Sequence, residues 1–301
     1  MHNVLHNFCK KFFSDNVYGG ILIVLSTIAS TTTSATTHSI SKELPPMEIL
    51  FFKCLAGLLI LLAIYRQRFF SFFKTSILPI HGLKGLSGAL GSWAWISAVM
   101  YLPLAESSAL SITSAFFTSL GGMFFFKEKF HLKAWIAIIA GFAGVMLILH
   151  PSQKIFSYYA FLPLLSAFFF SASSLFVKRL SKDDSSQTTL IYLLSFMALF
   201  ALLSQLYTPW IFPPSSEILK LTVIGCSYML TQTCIIEAYT YAHTSFIAPF
   251  KYARFPINIF AGVLFFAELP PLTTILGGSV ILVSYAWLIR IEYKNKKRKN
   301  S

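Results

Sequence analysis

The apolar residues of this chain fall into blocks of about twenty, separated by short polar connections. That is the length a helix needs to cross the hydrocarbon of a bilayer, about 20 residues. Ten such blocks lie at 17–39, 46–65, 80–101, 104–126, 132–149, 157–177, 187–206, 218–242, 244–266 and 271–290. The longest connection, LYTPWIFPPSSE before the eighth block, leaves no room for a soluble domain. The pattern predicts an all-α integral membrane protein with ten transmembrane helices. The first block stays as a helix, because Lys10 and Lys11 precede a full-length span with no clear small-residue cleavage site.

Composition agrees. Of 301 residues, 55% are hydrophobic, 31 are Phe and 12% are charged, against about 25% charged in an ordinary soluble chain. The net charge of +13 would suit a nucleic-acid binder, but its placement points elsewhere. With the N-terminus in the cytoplasm, eighteen basic residues lie inside, Lys84 among them, and only Lys42, Lys154 and Lys220 lie outside. The positive-inside rule then puts both termini in the cytoplasm, as an even number of spans requires. The tail YKNKKRKN reads as a topology and headgroup anchor rather than a nucleic-acid arm. Lys53, Lys251 and Arg254 remain as cations within spans.

Cys9, Cys54, Cys226 and Cys234 form no C-x-x-C, and the seven histidines are scattered, so neither a metal nor a cofactor is expected. No nucleotide-binding loop is present, so transport energy would come from gradients or exchange.

The chain is also written twice. An offset of 140 residues lays Ser41-Lys42 on Ser181-Lys182, Tyr101 on Tyr241 and Glu128 on Glu268, with MFFFKEKF over VLFFAELP. Five spans followed by five more must enter the membrane in opposite senses. Two inverted five-helix repeats are a transporter signature, with the substrate site near mid-membrane. The units are 15–150 and 155–291, followed by a basic cytoplasmic tail at 292–301.

These units resemble the tandem EamA-type repeats of the drug/metabolite transporter superfamily over essentially residues 15–291. The carrying features are the acidic residues closing spans four and nine, the glycine-bearing spans after them, and Pro103 after the Trp95-containing third span. Span two carries Lys53 where this superfamily often has Arg. APFKY, ELPP, LHPSQK and YTPWIFPPSSEI are similar to the branch that takes up S-adenosylmethionine in intracellular bacteria. The resemblance implies a secondary carrier in the inner membrane. Its cavity would be lined by spans one, three, four, six, eight and nine. Export of amino acids or amphiphilic drugs is the alternative function. The implied partners are a small metabolite and the lipid bilayer, with no nucleic acid; a homodimer is left open.

Intramembrane charges mark functional sites, since each costs about 2.5–3.5 kcal/mol at mid-membrane. Lys251 and Arg254 lie three residues apart on one helix face behind Pro249, poised to receive an anionic group. Tyr252 sits between them. Glu237 on span eight either attracts the cationic end of a zwitterion, carries a proton, or pairs structurally with Lys251 at similar depth. Span one is crowded with hydroxyls, Ser34 among them, which line either a cavity or a close helix contact. Trp95 could cover a cationic group, worth about 0.5–2 kcal/mol. Gly82, Gly85, Gly88 and Gly91 read as a packing seam. GLSG around Ser87 matches an intramembrane serine protease, but no base lies within obvious reach of the hydroxyl. The protein is expected not to be an enzyme.

Overall fold

A computed structural model describes residues 15–40, 44–114, 116–118, 120–121, 136, 139–140, 143–144, 146–147, 158–206, 210–241, 250 and 253–299. Nine helices have described bounds: α1 Asp15–His38, α2 Pro46–Tyr65, α3 Leu78–Tyr101, α4 Leu104–Ser111, α5 Leu162–Leu180, α6 Ser186–Ser204, α7 Ser215–Tyr241, α8 Arg254–Phe266 and α9 Leu272–Lys299. They correspond to spans one to four and six to ten. Span five is represented by helical positions at 136, 139–140, 143–144 and 146–147. No strand occurs among the described residues. An apolar solvent cannot hydrogen-bond a backbone, and a helix satisfies its own.

Among the described residues, five helical segments are long and apolar enough to cross a membrane: Val17–His38, Pro46–Phe73, Tyr159–Val177, Ser186–Ser204 and Ser215–Tyr241. The first shows how a hydroxyl-rich segment does so. Ser26 and Thr27 donate to the Ile23 carbonyl at 2.7 and 2.9 Å, and Thr33 and Thr37 donate four residues back to Ala29 and Thr33. These bonds hide the hydroxyls from lipid. Val17, Ile21, Leu25 and Ile28 are exposed along the opposite stripe of α1.

Successive helices reverse direction, so α1, α3, α6 and α8 start at one face and α2, α5, α7 and α9 at the other. We call these the Asp15 face and the His38 face. The main apolar core joins α2, α6 and α7 through Ile49, Leu50, Leu194, Met197, Leu221 and Ile224. The glycine stripe of α3 is indeed a seam. A Cβ on Gly85 would run into Phe196 of α6, and one on Gly88 would meet Leu193 and Met197 at 3.0–3.1 Å. Gly91 lies against Phe169 and Phe170 of α5. Span five meets α9 equally closely, at Gly144 against Gly277 and Ile281.

The inversion of the halves is visible in two tyrosine pairs. Tyr101, ending α3 at the His38 face, stacks on Tyr159 with ring centroids 4.3 Å apart. Tyr241, ending α7 at the Asp15 face, meets Tyr18 edge-on at 6.2 Å. The 140-residue offset exchanges the two ends of the molecule.

The ninth span is described as a helix from Arg254, with Pro256 tolerated in its first turn, and its positions 244–249 and 251–252 lie outside the described residues. The basic tail is a continuation of α9 as far as Lys299.

Candidate functional site

A cavity of about 200 Å³ runs down the middle of the bundle. It is lined from α1, α2, α3, span four, α5, α7 and α8, which is the expected set of spans with the second added. Fourteen of its lining residues are serines or threonines, which set hydrogen-bonding groups into a wall that is otherwise largely apolar and aromatic. Trp95, Tyr228 and Phe170 supply flat aromatic faces, and Lys53, Lys84 and Arg254 supply positive charge. Among its described lining residues there is no aspartate or glutamate.

Three residues singled out in the sequence meet here. Trp95 Nε1 donates to Ser34 Oγ at 3.1 Å, holding the indole against α1. The guanidinium of Arg254 lies over that indole, 4.4 Å from the ring centroid. Arg254 begins α8, so the contact joins the two inverted halves across the cavity. Asn258, one turn further on, is fully buried and hydrogen-bonds Thr31 on α1 and Ser108 on α4. That side-chain hub sets the rotation of α8 and hence the direction of Arg254.

Glu237 lies elsewhere. It lines a second cavity of about 120 Å³ between α2, α6 and α7, with Tyr65, Ser186, Gln187 and Thr233 among its neighbours. Lys251 and Tyr252 lie outside the described residues, and with Lys251 goes any test of its pairing with Glu237.

Sequence reasoning missed two cavity cations. Lys84, assigned above to the cytoplasmic side, is 1% exposed and lines the cavity from the second turn of α3. The block that contains it begins only four residues earlier, a position from which lysines ordinarily snorkel to the interface. Lys53 was noted but given no place in the site. Its ammonium lies 3.9 Å from the centroid of Tyr228, on the cavity wall.

At the His38 face a polar cluster gathers the helix ends. His38 Nδ1 contacts the Val99 carbonyl, and its Nε2 lies 3.2 Å from Glu268 Oε1. The other carboxylate oxygen of Glu268 accepts from Leu104 N at 3.0 Å, and Phe266 packs on the imidazole at 4.6 Å. Ala267, in the left-handed region at φ 54°, ends α8 and presents Glu268 to this cluster. One acidic residue thus joins α1, α3, α4 and α8. At the opposite face His81 Nε2 and Thr75 Oγ1 hold Asp184 at 2.8 and 2.7 Å, tying α3 to the α5–α6 connection.

A helical membrane bundle written as two repeats, with a hydroxyl-bearing cavity between them, is the arrangement of a transporter. The model of the EamA-like transporter family matches residues 17–150 and 157–290, and the chain belongs to that family. It is 35% identical to a riboflavin transporter of Vibrio cholerae over 224 residues, 73% of this chain and 74% of that one. A pseudopaline exporter, CntI, of Pseudomonas aeruginosa is 28% identical over 90% of this chain and 96% of its own. An S-adenosylmethionine uptake transporter of Rickettsia prowazekii is 24% identical over 92% and 94%. A solved crystal structure aligns with 91% of this chain and 95% of its own at a TM-score of 0.64 and 17% identity, a likeness of fold. The relatives are transporters, and the protein is a transporter rather than an enzyme.

Proposed function

We propose that the protein is an inner-membrane secondary carrier for a polyhydroxylated heteroaromatic metabolite of the flavin class, with both termini in the cytoplasm and the substrate bound in the central cavity. The observation that carries this reading is the lining of that cavity. Hydroxyl side chains suit a polyol chain, and the faces of Trp95, Tyr228 and Phe170 suit a flat ring system. The similarity to a riboflavin transporter supports it independently.

S-Adenosylmethionine uptake, implied by the sequence resemblance, is the second reading, and the Rickettsia relatives favour it. Its ligand carries a sulfonium and an ammonium against one carboxylate, a net positive charge at neutral pH. Three lining cations, with no acid among the described lining residues, oppose that charge. Of the residues proposed from sequence, Ser34, Trp95 and Arg254 are assigned to substrate contact here. Glu237, in the second cavity, is not.

The His38–Glu268 contact would serve as the closure a carrier needs when its site is turned away from that side. Uptake of radiolabelled riboflavin and S-adenosylmethionine into proteoliposomes tests the reading. Saturable riboflavin uptake that unlabelled riboflavin competes is expected. Saturable S-adenosylmethionine uptake with no flavin uptake would overturn it.

A further inference from the structure

The three cavity cations are not equivalent. Arg254 lies over Trp95, and Lys53 over Tyr228, so each faces the negative surface of an aromatic ring. Lys84 has no such cover. It is 1% exposed, lines the cavity, and makes no hydrogen bond, ion pair or ring contact with any described residue. Asp184, the acid held by His81 one turn before it, is bonded to His81 and Thr75 and not to Lys84. A buried ammonium without a counter-charge is costly, and a neutral ligand would leave it so.

Position adds a second argument. Lys84 and Trp95 stand eleven residues apart on α3, which sets them about 16 Å apart along the helix axis at about 1.5 Å per residue. Lys84 therefore stands six residues from the Asp15-face end of α3 and Trp95 six residues from its His38-face end, with the hydroxyl-bearing wall of α1 running past both. Such a slot fits an elongated molecule with a flat head, a polyol middle and a charged end.

We infer that Lys84 is an anion subsite, and that the transported species bears a terminal phosphate or carboxylate which this ammonium receives. The inference rests on the flavin-class reading for the head and middle of the molecule, and on Lys84 alone for its charge. Phosphate and carboxylate share the chemistry needed, an oxyanion accepting charge-assisted hydrogen bonds from a compact point charge.

The test uses the full-length protein in proteoliposomes, comparing riboflavin with its 5′-phosphate, and wild type with Lys84→Gln and Lys84→Arg. Removing an uncompensated buried charge does not threaten folding, so Lys84→Gln should reach normal abundance. We expect wild type to prefer the phosphate ester by about tenfold or more in KM, the scale of one hydrogen bond to a charged group. Lys84→Gln should abolish that preference, and Lys84→Arg should restore much of it. Equal handling of the two flavins by wild type, or an unchanged preference in Lys84→Gln, would overturn the inference. A second measurement separates it from the flavin reading: quenching of tryptophan fluorescence by inorganic pyrophosphate in purified protein. Quenching lost in Lys84→Gln, with neither flavin transported, removes the flavin reading and keeps the anion subsite. Quenching identical in wild type and Lys84→Gln removes the subsite.

Discussion

At the scale of single residues, the site depends on Trp95 acting in two ways. Its ring carries the guanidinium of Arg254, and its N–H anchors it to Ser34. Trp95→Phe keeps a platform and loses the anchor; Trp95→Ala loses both. We expect a rise in KM of about two- to fivefold for Phe, the value of one neutral hydrogen bond. For Ala a rise of about tenfold or more follows, because the cation–π contact goes as well. Equal effects of the two, measured as uptake kinetics at matched membrane abundance, would show that the indole N–H contributes nothing. Ser34, Trp95 and Arg254 draw notice in the sequence because a hydroxyl, an indole and a cation each stand out in an apolar block, and all three line the cavity. Lys84 and Tyr228 were not. A lysine near the start of a block reads as interfacial, and a tyrosine inside one reads as core, until the fold turns them inward.

At the scale of helices, the glycines of α3 decide how near α6 can come. A Cβ at Gly82 would meet Phe196 at 3.9 Å, an ordinary contact, whereas one at Gly85 would collide with the same side chain near its root. Gly82→Ala should therefore be neutral or stabilising by up to about 1 kcal/mol, as alanine favours a helix. Gly85→Ala should destabilise by about 1–3 kcal/mol through overpacking. Thermal unfolding of the two variants in detergent checks this, and the same midpoint for both would refute the seam. Element existence was readable from apolarity, since length and hydropathy report which residues lie in the membrane. They do not report where a helix ends: α9 runs past its apolar block to Lys299.

At the scale of the whole molecule, the two repeats, the tyrosine pairs at opposite faces and the central cavity are the parts on which we propose a carrier that exposes one site to each side in turn. We propose the His38–Glu268 cluster as its closure at one face. The most direct measurement is the reaction of Thr37→Cys, in protein freed of its native cysteines, with a membrane-impermeant thiol reagent applied from the His38 face. Thr37 is 2% exposed, lines the cavity and neighbours the closure. The account predicts slow labelling of the resting protein. Labelling should become several-fold faster when riboflavin is added, or when His38→Ala removes the closure. Labelling that is fast at rest from both faces, or that neither riboflavin nor His38→Ala changes, would contradict it.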